Sequence, residues 1–149
     1  MRVTMLLADA AQAVNGKLYI LGGGWSVAGP GPVTMAIAFK IDVPWDQSNR
    51  RHTLRLALYN EDGQPVMLPT PEGNRPFELS AEFEVGRPPG IRPGTDLDVP
   101  LAINFGSLPL PPGAVYVWKC WIDGQTRDDW RLAFTTRPAQ NPAGAIPGL

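Results

Sequence analysis

The chain has one cysteine, one histidine and four serines among 149 residues, and these scarcities exclude a good deal. A lone Cys120 cannot form an intrachain disulfide, so nothing in the chain calls for an oxidising compartment, and a cytoplasmic location fits. Cys120 runs in phase with Tyr116 and Trp118, which places it on a core face where cysteine behaves as a small hydrophobe. The single His52 follows Arg50 and Arg51 at the start of an apolar run, with no identifiable partner to orient it for acid–base chemistry. It reads as a surface or strand-end residue. None of the serines sits in a Gly-x-Ser-x-Gly elbow, and the nearest approach, Gly24 to Ala28 around Ser26, fails at its last position. The chain therefore reads as a non-enzyme.

Excess charge and long apolar runs are missing too. Thirteen Lys and Arg against 14 Asp and Glu leave a formal net charge of −1, which provides no field to gather phosphates, so nucleic acid is not an expected partner. No apolar stretch approaches the roughly 20 residues that a membrane-spanning helix needs, and a membrane partner is not expected. The opening Met1 to Ala10 has the positive start and the Ala-x-Ala triplet of a signal peptide. Its apolar run of about five residues is too short for a signal core, and Asp9 occupies the cleavage region, so it reads as a first strand.

Glycine and proline are abundant, at 16 and 17 residues, and they punctuate apolar runs as an all-β chain requires. Alternation with period two dominates. Val33, Met35, Ile37, Phe39, Ile41 and Val43 share one strand face, with Thr34, Lys40 and Asp42 on the other. Phe77, Leu79, Ala81, Phe83 and Val85 oppose Glu78, Ser80, Glu82 and Glu84, the glutamates forming a solvated face. Further strands are expected around Leu54 to Leu58, Val99 to Phe105, Tyr116 to Ile122 and Trp130 to Phe134, and Pro100 marks an edge or a bulge. Asn15-Gly16 suits a two-residue type I′ hairpin, since both positions need positive φ. Asp62-Gly63 and Asp123-Gly124 read as further turns.

These signals predict an all-β fold, a two-sheet antiparallel sandwich of immunoglobulin-like or jelly-roll-like type with eight to nine strands. Residues 1–136 form a single domain. Residues 137–149, rich in Pro and Gly, form an extended tail that needs little ordering entropy to lie along a neighbour, with Ile146 and Leu149 as its apolar contacts.

Gly22, Gly23 and Gly24 lead into Trp25-Ser26 and match neither Gly-x-Gly-x-x-Gly nor the Walker spacing. They serve as a bend or a close backbone approach. Aspartates cluster near turns, at Asp42 and Asp46, Asp96 and Asp98, and Asp123, Asp128 and Asp129. No contiguous calcium loop is present and aspartate favours turns for its own hydrogen bonds, so neither a metal nor another cofactor is expected. The tryptophans carry more signal. Trp25 follows the glycine bend, Trp45 lies in a polar connection that ends near Arg50, and Trp121 falls on the face opposite Trp118. Each either caps the core or makes contact with a partner, where Trp and Arg are enriched.

The segments Leu7-x-Asp9-x-Ala11 and Gly16 to Trp25, with Val43 to Asp46 and the Pro-Pro-Gly turns, resemble a family of small bacterial proteins, largely actinobacterial, of unknown function. The resemblance covers about the first 135 residues. It implies a single cytoplasmic β-sandwich and brings no activity with it. The expected role is that of an interaction or structural protein, a homo-oligomer or an accessory subunit of a bacterial or phage-derived assembly. The alternative is a carbohydrate-binding module that uses exposed tryptophans.

Overall fold

A computed structural model describes residues 1–139, and the expected tail contacts Ile146 and Leu149 lie outside the described residues. The described chain is all-β, with eleven strands in order: β1 (Arg2–Val14), β2 (Lys17–Gly23), β3 (Val27–Ala28), β4 (Val33–Val43), β5 (Arg51–Asn60), β6 (Met67–Thr70), β7 (Gly73–Pro76), β8 (Glu78–Glu84), β9 (Leu97–Leu108), β10 (Val115–Ile122) and β11 (Arg131–Thr136). One 3₁₀ turn, Trp45–Gln47, is the only helical element among the described residues.

The strands form a four-stranded sheet ordered β2-β1-β4-β9, a five-stranded sheet ordered β3-β11-β10-β5-β8, and the small β6-β7 hairpin. Both the expected count of eight to nine and the purely antiparallel arrangement need correction. The extra strands are the β6–β7 hairpin and the two-residue β3, too short to leave a periodic signal. β3 runs parallel to β11, with Val27 beside Thr135 and Ala28 beside Thr136. Backbone amides of Thr135 and Arg137 donate to the carbonyls of Ser26 and Ala28, both at 2.8 Å, so this pairing depends on residues more than 100 positions apart.

One hydrophobic cluster draws on both large sheets. Val3, Leu7, Met35, Ile37, Phe39, Ile41, Val99 and Phe105 come from the first; Leu54, Leu56, Leu58, Trp118, Cys120, Ile122 and Phe134 come from the second. Each fully buried Leu, Ile or Phe contributes about 2 kcal/mol through removal of apolar surface from water. At its centre Phe105 stacks on Trp118 at 4.8 Å between ring centroids. Tyr116, Trp118, Cys120 and Ile122 are buried while Val117, Lys119 and Trp121 between them are only half covered, the period-two pattern of a sheet with one dry face.

The other face of β4 is not wet as its polar residues imply. Ala36 and Ala38 are buried with Ala8 and Ala11, and Leu18 and Ala102 pack against them. β1 pairs with β4 from Arg2 to Ala8, then with β2 from Ala8 to Val14. Its second half therefore leaves the β4 ladder, and small side chains permit the close approach. Asp42 is also buried, bonded to Arg2 Nε at 2.8 Å and to Lys40 Nζ.

Candidate functional site

The turn that ends β1 has the geometry its residues require. Asn15 and Gly16 have φ of 51° and 74°, and Val14 pairs with Lys17 across them. At the far end of β2, Gly22 adopts φ of 59°, and a Cβ there would overlap the Asp9 carboxylate; one at Gly23 would lie 2.7 Å from Ile20 Cγ2. Gly24 has φ of 91° and its amide donates to the Leu7 carbonyl at 2.7 Å. These glycines form a close-packed bend with no anion cradle.

The tryptophans singled out by sequence are dispersed. Trp25 is half-buried against the core, and its indole Nε1–H is buried with no acceptor among the described residues. Trp45 opens the 3₁₀ turn with the Arg87 guanidinium 4.3 Å above its ring, and Arg87 also donates to the Trp45 carbonyl and to Ser48 Oγ, both at 2.8 Å. Trp121 lies under the Arg55 guanidinium at 3.8 Å and beside Tyr59. The rings of Trp45 and Trp121 are thus already occupied by cations of the same chain, an arrangement that holds the rings in place. Each stacked guanidinium takes up one face that a sugar would need.

His52 corrects the expectation of a surface residue without a partner. It is 2% exposed, with Nδ1 2.6 Å from Asp123 Oδ2 and Nε2 2.8 Å from the Gln47 carbonyl. Phe83 stacks on it at 5.3 Å. Both ring nitrogens lie within hydrogen-bond distance of oxygens of the same chain, and the ring is buried. Burial pushes the Asp123 carboxyl up, but hydrogen bonds from His52 and from the Thr53 amide, with the charges of His52 and Arg50, hold it below its ordinary value. Asp123 has φ of 52°, so the turn that sequence identified also aims its side chain at His52. Arg50 lines a polar cleft of about 280 Å³ beside this pair, with Gln47, Gln125, Arg127 and Trp130.

Cys120 is fully buried, and its thiol is pushed up to about 12 by that burial. It is a core residue, inert as a nucleophile. Among the described residues no three His, Cys, Asp or Glu gather as a metal-binding group. No helix among them is long and apolar enough to cross a membrane.

The surface that sequence reasoning missed is β2. Tyr19, Ile20 and Leu21 are 56%, 41% and 70% exposed, and Leu6 and Val14 of β1 are exposed as well. A shallow groove runs between Ala10, Gln12, Tyr19 and Leu21. The signal was available: Leu18 to Leu21 is an unbroken apolar run without alternation, which states that neither face is marked as the wet one. Three adjacent large apolar residues on a sheet edge are unusual for a surface that meets only water.

Comparison with curated proteins returns no match. The family model DUF6941, described as a family of unknown function, matches residues 3–135, and the chain belongs to that family.

Proposed function

We infer that this protein is a non-enzymatic interaction module, a cytoplasmic two-sheet β-sandwich that acts by associating with protein, first of all with itself, as a homo-oligomer or as a subunit of a larger assembly. The sandwich reading is supported by the single core that both large sheets feed. The cytoplasmic reading is supported by the lone, buried and unpaired Cys120. The observation that carries the function is the exposed apolar surface of β2, with Tyr19, Ile20 and Leu21 flanked by Leu6 and Val14. Such a patch is stabilised when a partner removes it from water, at roughly 25 cal/mol for each Å² covered. The buried His52 bridges the Gln47 carbonyl and the Asp123 carboxylate and so ties two turns together, which supports a structural use of the chain's one histidine.

The test is the solution mass of the full-length chain by light scattering over a wide concentration range. Association predicts a mass that rises above 16.2 kDa toward a defined multiple. A mass fixed at 16.2 kDa up to about 1 mM, where even a weak complex of about 4 kcal/mol would be half formed, would contradict self-association.

A further inference from the structure

Among the described residues β2 is the edge of the two large sheets with the fewest devices against pairing, its one irregularity being the left-handed Gly22 near its far end. The edges are β2 and β9 in the first sheet, β3 and β8 in the second. β8 presents Glu78, Glu82 and Glu84 to solvent. β9 contains Pro100, and its ladder with β4 shifts register between Val33 and Met35. β3 is two residues long. Charges, prolines, irregularities and shortness are the means by which edge strands avoid other chains. β2 has seven residues, no proline, and one charge at its first position, Lys17.

The backbone of β2 is oriented for a neighbour. Ala11 is paired with Ile20, yet the Ala11 amide donates to Asn104 Oδ1 at 3.1 Å and the Ala11 carbonyl accepts from Asn104 Nδ2 at 2.8 Å. Both Ala11 groups therefore point away from β2, which makes Ala11–Ile20 a non-hydrogen-bonded pair of the antiparallel ladder. Ile20 must then send its own amide and carbonyl to the opposite, open side. On β1 the fold supplies Asn104 to satisfy the amide and carbonyl of the buried Ala11, which no neighbouring strand pairs on that side. For Ile20, no side-chain or loop hydrogen bond among the described residues does the same.

We propose that β2 pairs antiparallel with β2 of a second copy of this chain, across a two-fold axis at Ile20, so that two four-stranded sheets become one of eight strands. This rests on the self-association reading above and adds its surface and register. A two-fold axis perpendicular to the sheet keeps each residue on its own face, which restricts the pairing to registers in which paired residue numbers sum to an even value. The register centred on Ile20 uses the strand best. Ile20 meets Ile20 of the second copy as a reciprocal hydrogen-bonded pair, and Leu18 falls opposite Gly22, whose left-handed φ of 59° ends the regular ladder. Tyr19 faces Leu21 as a closely spaced non-hydrogen-bonded pair, the arrangement in which aromatic and aliphatic side chains stabilise a ladder most. Lys17 lies opposite Gly23, so no like charges oppose one another across the ladder. An interface of one seven-residue strand flanked by Leu6 and Val14 is small, and the dimer should dissociate on dilution.

The test uses the full chain carrying Ile20→Cys. Cys120 is buried and inert, so the introduced thiol is the one that reacts. Across the axis the two Cα atoms would be about 5.5 Å apart, within the range a disulfide spans. Lys17→Cys is the control, since its two copies would lie about 20 Å apart along the ladder. Under mild oxidation Ile20→Cys should become a disulfide-linked dimer while Lys17→Cys stays unlinked. Ile20→Lys, placing two ammonium groups on the axis, should weaken dimerisation at least tenfold with the circular dichroism of the wild type retained. Equal cross-linking of the two cysteine variants, or a wild-type dimer that Ile20→Lys leaves intact, would overturn the register. A wild-type chain that is monomeric throughout would instead overturn the self-association reading beneath it.

Discussion

Asp123 Oδ2 lies 2.6 Å from Nδ1 of the buried His52, joining the start of β5 to the turn after β10. The same carboxylate accepts from the Thr53 amide through Oδ1 at 2.9 Å. The positive φ of Asp123 is one that asparagine also tolerates, so Asp123→Asn removes charge while preserving the turn. Loss of this charge-assisted contact is expected to cost about 1.5 kcal/mol. Urea unfolding should show a lower midpoint at an unchanged slope.

Acid stability follows from the same residue and from Asp42. Burial pushes the Asp42 carboxyl up, but its hydrogen bonds and ion pairs with Lys40 and Arg2 hold it below its ordinary 3.8, and Asp123 is also held below 3.8. In the unfolded chain both carboxyls take up protons first, so their contribution is present above that ordinary value and is lost as pH falls through it toward the lower folded values. Unfolding midpoints followed from pH 6 downward should decline. The decline should be shallower in Asp42→Asn and Asp123→Asn.

Lys40 supplies the opposite limb. Hydrogen bonds to Asp42 and Asp98 raise its ammonium above the ordinary 10.5. Its stabilising contribution is complete below that value and disappears as pH rises through the raised folded value. Lys40→Met should flatten the alkaline decline of thermal stability.

Glycine substitutions separate conformation from crowding. Gly16 and Gly22 both have positive φ, but a Cβ at Gly16 meets nothing within 4 Å, while one at Gly22 overlaps the Asp9 carboxylate. Gly16→Ala should cost about 1 kcal/mol, and Gly22→Ala clearly more. Removing the carboxylate with Asp9→Ala should recover part of the Gly22→Ala loss in a double-mutant cycle.

Cys120 gives a reporter of global unfolding. With no exposure and a thiol raised to about 12, it should resist alkylation at pH 8 in the folded chain and react fully in denaturant. Modification of the native protein within minutes would contradict its burial.

The features legible in the sequence were local ones. Asn15-Gly16, the glycine bend, the buried alternation through Cys120 and the exposed glutamates of β8 each depend on neighbours a few positions away, where turn chemistry and period two suffice. His52 and Asp123 are 71 residues apart, and Asn104 and Ala11 are 93 apart. Nothing in either local pattern announces the other residue. Trp45 and Trp121 are visible as large residues in polar surroundings, but Arg55 is brought to Trp121 by the pairing of β5 with β10, and Arg87 reaches Trp45 from the loop after β8. The Asn15-Gly16 hairpin implies a strand at β2, yet that β2 has one ladder partner among the described residues is a property of strand order that alternation does not encode.

The most direct measurement of the central claim is light scattering of the wild-type chain beside Ile20→Lys, each followed from micromolar to millimolar concentration. The account predicts that the wild type approaches twice the 16.2 kDa chain mass while Ile20→Lys stays near the monomer at the same concentrations. A wild type that remains at 16.2 kDa throughout, or an Ile20→Lys variant that associates equally well, would contradict it.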